Sequence, residues 1–295
     1  MAELTLAVLH PGEMGAAVAA CARSRGARVV WASEARSAAT HARATAAGLR
    51  DLGTLGALVE ASDVVLAVCP PHGALDLARA VAGHRFRGIY VDANAVSPDT
   101  ARQIGVIVEA GGATFVDGGI VGPPPGAGAS TRLYLSGKDA ERIATAFAGS
   151  HLHTVVLDGP VGAASALKVC YAAWTKGANA LVAAIRALAA REAVDRILAD
   201  EWQLSQPDLL KRSEGVRPSA RKAWRWIAEM EEIAAAFASA GLPDGFHRAA
   251  AQVYRRLEPY KDAASPPTLE AITRSLLLDA APEGAADAPS ENSPR

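Results

Sequence analysis

The chain opens on an apolar run, Leu4-Thr5-Leu6-Ala7-Val8-Leu9. It passes through His10-Pro11-Gly12-Glu13-Met14-Gly15 into Ala-rich sequence with no helix breaker before Gly26. This reads as strand, tight turn, helix. Backbone N–H groups at a helix N-terminus lack intrahelical partners and point outward, so such a joint can bind a pyrophosphate. Gly12 admits close approach of phosphates and Gly15 lets the helix lie on the strand, the context a dinucleotide-binding turn requires. Where the usual pattern begins with glycine this chain has His10. An L-residue there either keeps φ negative or is strained. By pattern alone, an ordinary strand–turn–helix joint explains these residues equally well.

Alternation along residues 1–158 narrows the choice. Strand-like runs at Leu4–Leu9, Val29–Ala32, Val64–Val68, Gly88–Val91, Thr114–Val116, Leu133–Ser136 and Thr154–Leu157 are separated mainly by helical stretches. Those stretches include Met14–Ser24, Ser37–Ala47, Leu55–Ala61, Gly73–Ala82 and one opened by Ser97-Pro98. The pattern predicts a doubly wound parallel sheet with helices on both faces. After Gly159-Pro160-Val161-Gly162 no strand is evident. Helices are expected at Ala163–Arg196, Ala220–Ala240, Phe246–Leu257 and Thr268–Leu278. The expected organisation is a dinucleotide-binding domain over 1–158, an all-α domain over 159–278, and a disordered tail over 279–295 that is short of strongly apolar residues.

Composition excludes several classes. A formal net charge of −1 offers no basic surface for nucleic acid. No apolar run reaches membrane-spanning length, and no signal peptide is evident. Cys21, Cys69 and Cys170 are too few and too far apart for a disulfide framework or a zinc site, so no metal is expected. Three reduced and mostly buried thiols in a cytoplasmic protein are the expectation.

Ligands of open α/β sheets bind beyond the carboxyl ends of the strands. After the second strand, Ser33, Arg36 and Ser37 suit a ribose phosphate, whereas Glu34 suits free ribose hydroxyls. NADP is therefore expected over NAD, although a solvated loop is the plain alternative. Cys69-Pro70-Pro71 would run beside the cofactor, with His72 read as a surface residue. Asp92-Ala93-Asn94 could present Asn94 to a nicotinamide ribose or a substrate anion, while Ser97 reads as an N-cap. Gly118, Gly119, Ile120, Val121 and Gly122, followed by three prolines, read as a stiff loop favouring substrate contact. On the long helix, Lys168, Tyr171, Thr175 and Asn179 fall near one face, with Lys176 close by. The apolar surface of that helix suggests a homodimer.

Taken in order, Val8–Gly15, Asp92–Pro98, Asp117–Gly122, Gly162 and Lys168 resemble the β-hydroxyacid dehydrogenase/6-phosphogluconate dehydrogenase-like superfamily, to which imine reductases are related. Ala172–Gly177 and Ala240–His247 resemble the branch whose helical C-terminal domain has no assigned function. The resemblance implies an N-terminal Rossmann fold. It further implies that His10, Pro11, Gly12, Glu13, Met14, Cys69, Pro70, Pro71 and Asn94 contact the cofactor, with Lys168 as general acid/base. Hydride would pass between nicotinamide and a small hydroxy or oxo compound, and Tyr171 is the second candidate donor. The family's substrate-binding asparagine on the next turn is absent, that turn reading Tyr171-Ala172. Asp92-Ala93-Asn94-Ala95 stands for Asp-x-Ser-Thr, and Gly122-Pro123 for the family's Gly-Gly. An imine reductase and a non-catalytic dinucleotide sensor are the alternatives.

Overall fold

The computed structural model describes residues 4–277, so the tail read at 279–295 lies outside the described residues. The described chain divides into two compact units. One comprises residues up to Gly177 together with Ala228–Arg248, and the other comprises Ala178–Ile227 and the chain from Ala249 onward.

The first unit is built on one eight-stranded sheet. Its strands are β1 (Thr5–Leu9), β2 (Arg28–Trp31), β3 (Arg50–Asp51), β4 (Val64–Ala67), β5 (Ile89–Asp92), β6 (Thr114–Val121), β7 (Thr131–Ser136) and β8 (Leu152–Val156). Their spatial order is β3-β2-β1-β4-β5-β6-β7-β8. The order reverses beside β1, and the crevice between β1 and β4 is the ligand position of such sheets. Burial on both faces explains why β4 is apolar throughout and β1 is apolar after Thr5.

The helices of this sheet are α1 (Glu13–Ser24), α2 (Ala38–Ala46), α3 (Leu55–Glu60), α4 (Ala74–Gly83), α5 (Pro98–Ala110) and α6 (Ala140–Phe147). Two cores lie on its faces. One gathers Val8, Val18, Leu66, Val91 and Leu133, the other Ala7, Val65, Tyr90, Ile104 and Phe115. The sheet is not wholly parallel, because β7 runs antiparallel to β6. Correspondingly, β6 does not stop at Asp117. It continues to Val121, so Gly118–Val121 are buried strand residues and not the loop read from sequence. Glycine-rich sequence resembles a loop, but here it is held by cross-strand pairing.

The long helix is α7 (Ala163–Arg191). It ends before Arg196, because Ala193 turns to φ +58° and α8 (Asp195–Ser205) starts anew. Arg186, buried on α7, pairs with Asp195 at 2.7 Å at this corner. Then come α9 (Pro207–Glu214) and α10 (Val216–Ala220), where no element was read before 220. In α8 only Trp202 is buried and in α9 only Ser213, so no apolar periodicity announces either helix. The helix read from Ala220 begins only at Trp226, as α11 (Trp226–Ser239), after a 3-10 turn at Ala223–Arg225. The remaining helices are α12 (Gly245–Arg255) and α13 (Leu269–Leu277). In the second unit Trp226 packs edge-on against the buried Tyr254 ring at 5.1 Å.

Candidate functional site

One row of paired residues, Leu9–Ala67–Asp92–Asp117, marks the carboxyl edge of β1, β4, β5 and β6. The residues just past this row are His10, Cys69, Asn94 and Gly118. The expected cofactor residues on β1, β4 and β5 thus converge on one edge, and Ser33–Ser37 follow β2 at the same end.

The β1–α1 turn has the form its residues dictate. Gly12 is the N-cap of α1, and no side chain caps the helix. A Cβ on Gly15 would lie 2.9 Å from the His10 carbonyl oxygen, so the helix can seat on the strand only with glycine there. His10 takes φ +62°, the strained alternative. Arg36 lies against its Nδ1. Burial, with the Arg36 charge, brings the His10 imidazole down to about 4, so it is neutral and can accept from the guanidinium. These features fit a pyrophosphate: an uncapped helix start, a glycine in close contact and arginines nearby. Arg43, which sequence reasoning missed, reaches from α2 to the Pro11 carbonyl at 3.4 Å. Its only signal in the sequence was a lone arginine in an Ala/Thr helix.

Other side chains at this edge are already engaged. Ser37 caps α2, accepting from Thr40 N–H at 3.3 Å, and the Ser33 N–H donates to Asp51. His72 is exposed in a 3-10 turn. Asn94 is buried. Its carbonyl accepts the Cys69 N–H at 2.5 Å, and its amide donates to Asp92 at 2.7 Å. Asn94 therefore ties β4 to β5 through its side chain. Burial raises Asp92 to about 7, with the charges of Asp117 and Glu232 adding to it against the Asn94 bonds. Burial likewise pushes the Cys69 thiol up to about 12, leaving it unreactive. Of the other two thiols Cys21 is buried but Cys170 is exposed, against the expectation of mostly buried cysteines.

Asp117, fully buried on β6, was not singled out from sequence as a site residue. It accepts from Ser136 Oγ, from the backbone N–H groups of Gly162, Ala164 and Ser165, and from Ser165 Oγ at 2.6 Å. A carboxylate on four helix-start donors complements the partial positive charge there. It fixes where α7 begins, and so where Lys168 stands. Gly119 completes the seat. A Cβ there would meet the Ala164 carbonyl oxygen at 2.6 Å and Lys168 Cβ at 3.2 Å.

Lys168 therefore rests on β6 two residues beyond the edge row. Its amine is mostly buried and faces Glu229 Oε1 of α11 at 3.9 Å, while Lys176 pairs with Glu229 Oε2. Burial first, then the Lys176 charge, lowers the Lys168 amine to about 8, with Glu229 opposing. Glu229 was not found from sequence, since nothing in its stretch marks it apart from other surface-type acids. Of the other α7 candidates, Tyr171 is 46% exposed and Thr175 bonds back to the Tyr171 carbonyl. Asn179 belongs to the second unit, where its amide donates to Tyr254 Oη at 3.4 Å.

Residues 5–148 match the NAD binding domain of 6-phosphogluconate dehydrogenase, and residues 189–257 match a domain of unknown function, DUF1932. The chain belongs to the 6-phosphogluconate dehydrogenase-like superfamily. Its superfamily branch is the one carrying that helical C-terminal domain. An uncharacterised 28.5 kDa protein of Methanothermus fervidus is 33% identical over 125 residues, 42% of this chain; the match spans about half (47%) of that relative's length. A solved protein of unknown function, MTH1747, described as structurally similar to 3-hydroxyacid dehydrogenases, is 28% identical. It aligns over 87% of this chain and 98% of its own at a TM-score of 0.64. Two solved enzymes, each 18% identical, share the superfamily's fold. Mycobacterium tuberculosis 3-hydroxyisobutyrate dehydrogenase with L-serine aligns at TM-score 0.68 over 94% and 100% of the two chains. Aspergillus terreus reductive aminase with NADPH and ethyl levulinate aligns at 0.56 over 92% and 99%.

Proposed function

We propose that this protein is an NAD(P)-dependent oxidoreductase acting on a small hydroxy or oxo compound, with Lys168 as its general acid/base. The observation that carries this reading is the Lys168 amine, seated beyond the carboxyl edge of the sheet and lowered to about 8 by burial and Lys176. An ordinary lysine titrates near ~10.4 and is a poor base at neutral pH. One near 8 can both give and take a proton.

The β1–α1 turn, from His10 to Met14, would hold the pyrophosphate, and the backbone at Cys69-Pro70-Pro71 and Asn94 would flank the cofactor. Arg36 and Arg43 support NADP over NAD. When bound, the nicotinamide supplies or accepts the hydride. In reduction the Lys168 ammonium donates its Nζ proton to the developing alkoxide. In oxidation the neutral amine takes the hydroxyl proton. The β6 backbone at Gly118–Val121 and the turn at Gly122, with Tyr171 and Thr175, are the proposed substrate contacts; Asn179 is retained as a candidate.

Lys168→Ala should lower turnover by about 10²–10⁴-fold while NADPH affinity stays within about twofold. Unchanged turnover would remove Lys168 from this role. A second reading, reduction of a C=N bond, is favoured by the buried Ala172 where the family carries a substrate-binding asparagine. An iminium already bears positive charge and asks less of a proton donor. Paired ketone and cyclic imine substrates separate the two readings.

A further inference from the structure

The helix α11 lies within the matched domain of unknown function, yet from Ala228 it belongs to the sheet-bearing unit. It sends two carboxylates into that unit, one turn apart. Glu232 Oε2 accepts the Ser97 N–H at 2.6 Å and the Thr100 hydroxyl at 2.9 Å, at the first turn of α5. This bond moors α11 beside the loop that follows Asp92 and Asn94.

Glu229 stands one turn before it, 6% exposed. Its two oxygens differ. Oε2 pairs with Lys176 Nζ, whereas Oε1 is buried and has no hydrogen-bond partner among the described atoms. A buried carboxylate oxygen whose lone pairs accept no hydrogen bond is costly, because it has given up its bonds to water. The donor facing it is Lys168 Nζ, 3.9 Å away, roughly 1 Å longer than a typical hydrogen bond. Lysine has rotatable bonds enough to close that gap.

We infer that Glu229 is the positioning residue for the Lys168 amine, and that supplying it is what α11 of the unassigned domain does. The inference rests on Lys168 as the acid/base. When Lys168 is an ammonium, Oε1 accepts one of its N–H groups and leaves the other protons free for the substrate side. When the amine is neutral, Glu229 stays balanced by Lys176. The carboxylate favours the charged amine and Lys176 the neutral one, so the pair sets the proton affinity from both sides. Among the described residues, the charged groups facing Lys168 are these two, from α11 and α7. The β6 surface beneath it is Gly119, which brings no charge.

The test titrates the amine directly in the full-length protein, without substrate. Acetic anhydride labels only neutral amines, and the acetylated fraction of the Lys168 peptide across pH 6–11 is read by mass spectrometry. Glu229→Gln should move the Lys168 midpoint down, with about fivefold greater labelling at pH 7 for a shift of one unit from about 8. Lys176→Gln should move it up. Glu229→Asp should fall between wild type and Glu229→Gln. A general loosening of structure cannot produce opposite shifts from the two halves of one ion pair. Should Glu229→Gln fail to fold, the Glu229→Asp midpoint decides, a value no lower than wild type overturning the inference. Unmoved midpoints, or both moving the same way, overturn the inference. If the opposite shifts appear but Lys168→Ala turns over normally, the reading of Lys168 as acid/base fails instead, and Glu229 merely tunes a structural lysine.

Discussion

His10 and Asp92 stand at the ends of β1 and β5, and burial favours the neutral form of each. The folded imidazole titrates near 4 and an ordinary histidine near ~6.5, so its contribution is present above the higher value and lost as pH falls between them. The Asp92 carboxyl titrates near 7 when folded and near ~3.9 when unfolded. The folded state then holds an extra proton between those values, and stability falls as pH rises through them. The two effects oppose each other over almost one range. Urea midpoints from pH 4.5 to 7.5 should therefore change little in the wild type. They should climb with pH in Asp92→Asn and decline in His10→Asn; equal slopes in both variants would refute the balance. At this scale the sequence was legible where backbone geometry is written in residue type, as at Gly12 and Gly15. It was silent on Asp117 and Glu229, whose partners lie 19 or more residues away and leave no local pattern. Ser37 shows the opposite failing, since a residue suited to phosphate is also the best available N-cap.

Among the elements, α7 depends most on its foundation. Asp117 holds its first turn, and replacing it by alanine would strand several buried donors. Asp117→Ala should cost about 3 kcal/mol or more in chemical denaturation, as breaking a buried charged network does. Gly119→Ala forces a methyl group to within 2.6 Å of the Ala164 carbonyl. It should cost about 1–3 kcal/mol and slow turnover by shifting Lys168, with cofactor affinity unchanged. The alternating strands and helices of the first unit were readable because buried parallel strands are continuous apolar runs. The β6 extension was not, because cross-strand pairing with β7 is a long-range fact. Nor were α8 and α9, where too little is buried to impose a period.

For the molecule as a whole, the described residues hold no helix long and apolar enough to cross a membrane. Even so, α7 exposes Trp174, Leu181 and Leu188 seven residues apart, at 66%, 55% and 57%. Apolar side chains repeating at that interval suit a seam with a second helix. A homodimer through α7 is the expected state, with Leu181→Glu giving a monomer by light scattering; a wild-type monomer at micromolar concentration would contradict it. The long β6 has a different bearing. Because Lys168 leans on a paired strand, the connection over residues 122–130 is free to change without unsettling it. Under the proposed function, substrate preference could then be altered through that connection while the seat of Lys168 stays as it is.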